Sequence, residues 1–278
     1  MDLFTVPKSP YHADVQRALR ITIATCYAAF GVHHLIYHDF VTRVAPKPPA
    51  WVPGQILLAY IAGIALIAGA AGMIVGSRRA AMITGWGCLA SALLLHLPRA
   101  LTASQNLWTD FGKGMVVAGV AFIIAASLGS PARDRLIAYG KGALAGFMIL
   151  CGIEHFMYVP FVASLIPPWI PWHVFWTYFA AVALIAGGIG ILLPQTTKLA
   201  ALLSGIMILA WVPLVHIPLA LRNVHDPGQS VPVFEALQFG CAGVLIARLS
   251  ASPSLASQPR RYSPLPDSRL AEGQAQSR

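Results

Sequence analysis

Apolar residues run along this chain in long unbroken stretches, with the polar residues gathered between them. The stretches cover about 18–38, 55–76, 80–98, 112–129, 137–158, 174–193, 198–219 and 231–248. At 1.5 Å rise per residue, about 20 helical residues cross the hydrocarbon layer of a bilayer, so each stretch is long enough to span it. A closed β-barrel would instead show short segments alternating between polar and apolar residues. These runs are continuous and rich in Ala, Leu and Gly. The pattern predicts an all-α polytopic membrane bundle of about eight transmembrane helices.

Composition points to the same solvent. Hydrophobic residues make up 57% of the chain and charged residues 10%, with a mean hydropathy of +0.67, whereas a soluble domain carries about a quarter charged residues. The first stretch follows Lys8, Arg17 and Arg20 and so resembles a secretion signal. It is too long for a typical signal core and no small-residue cleavage pattern follows it, so it is expected to be retained as a span.

The eight stretches form two sets of four that say nearly the same thing. Gly31-Val32-His33-His34-Leu35-Ile36-Tyr37, then Phe40-Val41, a proline cluster and Trp51-Val52-Pro53, is echoed by Gly152-Ile153-Glu154-His155-Phe156-Met157-Tyr158, then Phe161-Val162, a proline cluster and Trp169-Ile170-Pro171. Tyr60–Gly72 matches Tyr178–Gly190, and His96–Leu101 matches His216–Leu221. The pairs are 121, 118 and 120 residues apart, so insertions and deletions fall only between elements. Self-similarity of this kind marks a duplicated structural unit. The expected organisation is an N-terminal cytoplasmic segment (1–17), a first repeat (18–135), a second repeat (136–248) and a disordered cytoplasmic tail (249–278) rich in Ser, Pro, Arg, Gln and Glu. With four spans per copy, both copies point the same way, related by a pseudo-two-fold axis along the membrane normal.

Charge sets the expected orientation. Fourteen Lys and Arg residues fall on the side of the termini and five (Arg43, Lys47, Arg99, Lys113 and Arg222) on the other. Lys and Arg favour the cytoplasm, which puts both termini inside a cell inner (plasma) membrane. The net charge of +9 is then mostly a topology signal plus a basic tail. Nucleic acid is not an expected partner; the lipid bilayer is.

The same topology gathers His33, His34, His96, His155 and His216 near the outer helix ends, and His38, His173 and His225 in outer loops. Ionisable residues at the hydrocarbon edge are costly and mark candidate sites. His34, His96, His155 and His216 form two symmetry-related pairs able to ligate a transition metal or haem, or to move protons. They serve equally well as loop-capping residues copied by the duplication. Glu154 takes the place of His33 in the second copy and either orients His155 or faces water. Arg99, Asp110, Arg222, Asp226 and Glu235 are expected in the outer loops, as salt bridges or as a grip on an anionic head group. Trp51 and Trp169 sit in loops almost free of charge, anchoring at the interface or flooring a lipid or quinone site. Cys26, Cys88, Cys151 and Cys241 lie inside spans and read as small apolar residues. Gly63, Gly69 and Gly72, with Gly187, Gly188 and Gly190, suggest close helix packing.

Gly152-x-x-His155-Phe156, Ile166-Pro-Pro-Trp-Ile-Pro171, Tyr178, the Gly187–Pro194 ending and His216-Ile-Pro218 together resemble the DoxX-like family of small four-helix membrane proteins. The first copy resembles it more weakly. The resemblance spans about 18–248 and implies two tandem units. Some members of that family are associated with quinone-linked sulfur oxidation or membrane redox complexes. An acidic residue common in the family's second helix is replaced here by Leu66 and Leu184. The expected function is thus a redox-associated membrane protein that binds quinone, haem or a metal at the outer histidines, or a membrane subunit for a membrane or periplasmic redox partner. The alternatives are a transporter or lipid- or solute-binding protein, and a structural membrane anchor.

Overall fold

In a computed structural model, residues 10–41, 45–102 and 107–250 are described. The positions around Arg43, Ser104 and Asn106, the first nine residues and the expected tail from 251 onward lie outside them. The described chain is all helical: α1 (Pro10–Ile36), α2 (Gln55–Ile74), α3 (Arg78–Thr102), α4 (Trp108–Ser127), α5 (Arg133–Met157), α6 (Val159–Leu165), α7 (His173–Leu192), α8 (Thr197–Arg222) and α9 (Pro227–Ser250). All but α6 are long and apolar enough to cross a bilayer. The protein is a multi-pass membrane protein, with eight such helices among the described residues. Helix α6 falls where the sequence suggests a loop, and His173 opens α7 instead of preceding it.

The spans form a ring in chain order, each packed on the next, with α9 closing onto α1. Helices α4 and α9, the last of each set of four, also touch across the middle. In both, 67% of the apolar window is buried, against 28–39% for the other spans. Ile123 and Ile124 of α4 and Leu245 and Ile246 of α9 are fully enclosed. Outside, Ile61, Ile64, Ile83, Trp86, Val182, Leu199, Leu203 and Ile206 are each more than half exposed. An exterior this apolar is matched to lipid, and helices satisfy their own backbone hydrogen bonds there.

Equivalent contacts recur in the two halves. A Cβ on Gly31 would lie 2.4 Å from the Gly63 carbonyl, and one on Gly152 would lie 2.8 Å from the Ala181 carbonyl. These crossings place α1 on α2 and α5 on α7 at backbone contact, which only glycine permits. Gly69 against Thr84 is repeated by Gly187 against Ser204. Helices α3 and α8 each contain one π-helical segment, Ala92–His96 and Val212–His216. The cause is legible: Pro98 and Pro218 follow two residues later, each lacking an N–H and crowding the carbonyl four residues back, so the helix inserts a residue to relieve the clash.

The two ends of the bundle differ. Gln16 donates to the Ser127 carbonyl at 3.2 Å, Arg78 to Gly129 at 3.1 Å and Arg133 to Leu249 at 3.1 Å, tying together the end that holds the described termini. At the other end, His33 meets the Ser230 hydroxyl at 3.0 Å, and Thr109 donates to Glu154 at 2.6 Å. Thr109 and Ser230 are 121 residues apart, the same offset as His33 and Glu154. Each half thus reaches with an equivalent residue to an equivalent hydroxyl on a central helix.

Candidate functional site

At the histidine end of the second half lies a cavity of about 1120 Å³, enclosed by α4, α5, α6, α7, α8 and α9. Its depth is apolar, walled by Leu144, Met148, Leu184, Ile208 and Phe239. Its polar groups include Thr109, Asp110 and Lys113 from α4, Glu154 and His155 from α5, Tyr158 just after it, Thr177 from α7, His216 from α8, and Gln229 and Glu235 from α9. From His155 down to Leu144 is eleven residues of helix, about 16 Å at 1.5 Å per residue. The shape is a deep greasy chamber with a polar wall near one end.

The expected site residues divide between the halves. His155 and His216 line the cavity, as do Glu154 and Trp169. His155 Nδ1 lies 2.7 Å from the Cys151 carbonyl. A carbonyl can only accept, so Nδ1 carries a proton, and in the neutral ring Nε2 is left as the acceptor. His34, the counterpart of His155, makes the same Nδ1 bond to the Phe30 carbonyl at 2.7 Å. It is fully buried, with Nε2 unpartnered and the Phe40 ring edge-on at 6.0 Å. His96 is 3% exposed, and its Cδ2 would lie 3.3 Å from a Cβ on Gly114. The structure therefore brings His155 and His216 to one cavity and seals His34 and His96 into packing. Among the described residues, no three His, Cys, Asp or Glu side chains are grouped to hold a metal ion. The residues present do not fit a metal centre built from several protein ligands.

The remaining candidates lie apart. His33 stacks on Tyr37 at 5.8 Å while bonding Ser230. Trp51 is 82% exposed. Arg99 and Arg222 occupy the last turns of α3 and α8, where a cation suits the helix dipole, and neither lines the cavity. Asp226 accepts the Gly228 N–H at 2.7 Å as α9 begins. Glu235 departs furthest from its expected place in an outer loop. It sits inside α9 in the cavity wall, 4% exposed, with Lys113 Nζ 2.7 Å from its Oε2 and no hydrogen-bond partner for Oε1.

The Lys113–Glu235 pair is the part of the site that sequence reading missed. The signal was present: each residue is an ionisable group within an apolar run, on the fourth helix of its set, and such groups pair when buried. The segment after His155 does flank the cavity, with Phe161, Val162, Leu165, Ile166, Trp169 and Ile170 in its wall.

A protein-family profile described as "Domain of unknown function (DUF8561)" matches residues 144–250, from the middle of α5 to the end of α9. That stretch supplies every cavity residue except those from α4. No curated protein and no solved structure matches the chain.

Proposed function

We propose that this multi-pass membrane protein binds a lipophilic small molecule in the cavity of its second half, with the ligand's tail in the apolar depth and its head at the polar wall. The observation that carries this reading is the cavity itself: about 1120 Å³, the size of sites that take drug-sized or larger ligands, with apolar walls and few convergent polar groups. The solute-binding reading moves ahead of a metal or haem centre. Of the redox expectations the quinone form is retained, because a quinone is itself a lipophilic molecule with a compact head. The relation to DoxX-like proteins is part of the proposal and rests on the sequence motifs alone. A membrane anchor with no ligand would have no use for the chamber.

The proposed orientation puts both termini in the cytoplasm and the histidine end at the outer face of the inner membrane, from the fourteen-to-five bias in Lys and Arg. In a background without native cysteines, Val224→Cys should react with an impermeant thiol reagent in intact cells and Val75→Cys should not; the reverse pattern overturns this orientation. The binding reading is tested by tryptophan emission. Trp176 and Trp211 line the cavity, so a short-chain quinone titrated into nanodiscs should quench them saturably. The Leu184→Trp variant fills the depth and should abolish saturation while retaining a wild-type elution profile. Linear, unsaturable quenching of both proteins would refute binding.

A further inference from the structure

The cavity wall carries three carboxylates, Asp110, Glu154 and Glu235, against one ammonium, Lys113. That ammonium is already engaged: its Nζ lies 2.7 Å from Glu235 Oε2, with the two side chains 12% and 5% exposed. Glu154 is engaged as well, accepting from Thr109 at 2.6 Å. No ammonium or guanidinium is left over in the wall to receive an anionic head, and the three carboxylates in a low-dielectric wall repel one. Two acceptors, by contrast, lack a donor in their assigned bonding. Glu235 Oε1 is buried in the wall with no hydrogen-bond partner, which is costly for a charged oxygen unless something donates to it. With the proton of the neutral His155 ring on Nδ1, held by the Cys151 carbonyl, Nε2 is an acceptor.

Building on the binding reading above, we infer that the natural ligand has a head without negative charge that donates hydrogen bonds through O–H or N–H: a long-chain alcohol, a quinol or an amine, and not a fatty acid or an anionic phospholipid. The head sits against Glu235, completing the bonding of Oε1, and its tail extends along α5 toward Leu144. Lys113 holds Glu235 in place and does not itself receive the ligand.

The test compares three probes that share a tail: dodecylamine, 1-dodecanol and dodecanoate, each tritiated and measured by scintillation proximity on the full chain in zwitterionic nanodiscs. Signal from nanodiscs carrying Leu184→Trp is subtracted to remove lipid partitioning. The amine and the alcohol should each bind at least tenfold more tightly than dodecanoate. Glu235→Gln keeps an acceptor but loses the charge, and should weaken the amine about tenfold while changing the alcohol less than threefold. Lys113→Met, an independent variant should Glu235→Gln misfold, frees the carboxylate and should tighten the amine. Dodecanoate binding as tightly as the amine, or an amine affinity indifferent to both substitutions, overturns the inference while leaving the binding reading intact. If none of the three probes exceeds the Leu184→Trp background, the binding reading itself fails.

Discussion

The two halves of this protein share a scaffold and differ at one end. In the first half Phe40 and Val41, just beyond α1, fold inward; they are 9% and 5% exposed, Phe40 against His34 and Val41 against Phe30 and Val231. Their counterparts Phe161 and Val162 belong to helix α6, where Phe161 is 65% exposed and both line the cavity. The sequence between explains the divergence. Where the first half has Asp39, following His38 at φ 52° and paired with Lys47, the second has Pro160 in the first turn of α6. A proline there lacks only an N–H that the helix leaves unused and presets the helical φ, so the Phe-Val pair is carried on a helix instead of packed down as a plug. On the central helices the contrast continues: Gly114 admits His96 and Ala92, while Glu235, 121 residues on, carries a charged side chain into the cavity wall. A duplicated unit thus retains its crossings while His34 and His96 are buried in one copy and His155 and His216 line a cavity in the other.

That comparison can be broken at several points. The largest effect is expected where the halves agree. Gly31→Ala and Gly152→Ala each drive a Cβ into a facing backbone carbonyl, and each should cost about 3 kcal/mol, read as similar drops in thermal midpoint in detergent; a large loss for one alone would show that the crossings are not equivalent. Next come the paired histidines. His34→Ala empties a fully buried position and should cost about 2 kcal/mol, whereas His155→Ala opens onto existing space and should cost less than about 1 kcal/mol yet alter ligand binding. Equal losses would mean that both histidines are structural. The smallest effect belongs to Pro160→Ala. Loss of the preset φ should lower stability by under about 1 kcal/mol and raise amide exchange across Val159–Leu165, leaving exchange in the first half unchanged. Faster exchange in both halves would sever the link between Pro160 and the local helix.

Much of the fold was legible because the bilayer enforces simple rules: length and hydropathy located the eight spans, and Gly63, Gly69 and Gly187 announced close helix packing. The π segments could also be read from His96-Leu97-Pro98 and His216-Ile217-Pro218, had the proline been asked where its missing hydrogen bond goes. The site was less legible. Four histidines of equal depth look alike in sequence, and which are sealed depends on Phe40, Val41 and Gly114, residues with no chemistry of their own. Glu235 read as a loop charge because it lies near the start of its span. Only its partner on α4, 122 positions earlier, makes it part of a cavity wall.

The central claim, that one copy of a duplicated unit is a ligand chamber and the other is not, is tested most directly by a cryo-EM map of the protein purified from native membranes in a mild detergent. The map should show non-protein density in the second half alone, elongated along α5 from Glu235 and His155 toward Leu144, with His34 and His96 enclosed by protein. A second half collapsed onto itself, with Phe161 and Val162 packed against His155 as Phe40 and Val41 are placed in the first half, would contradict it.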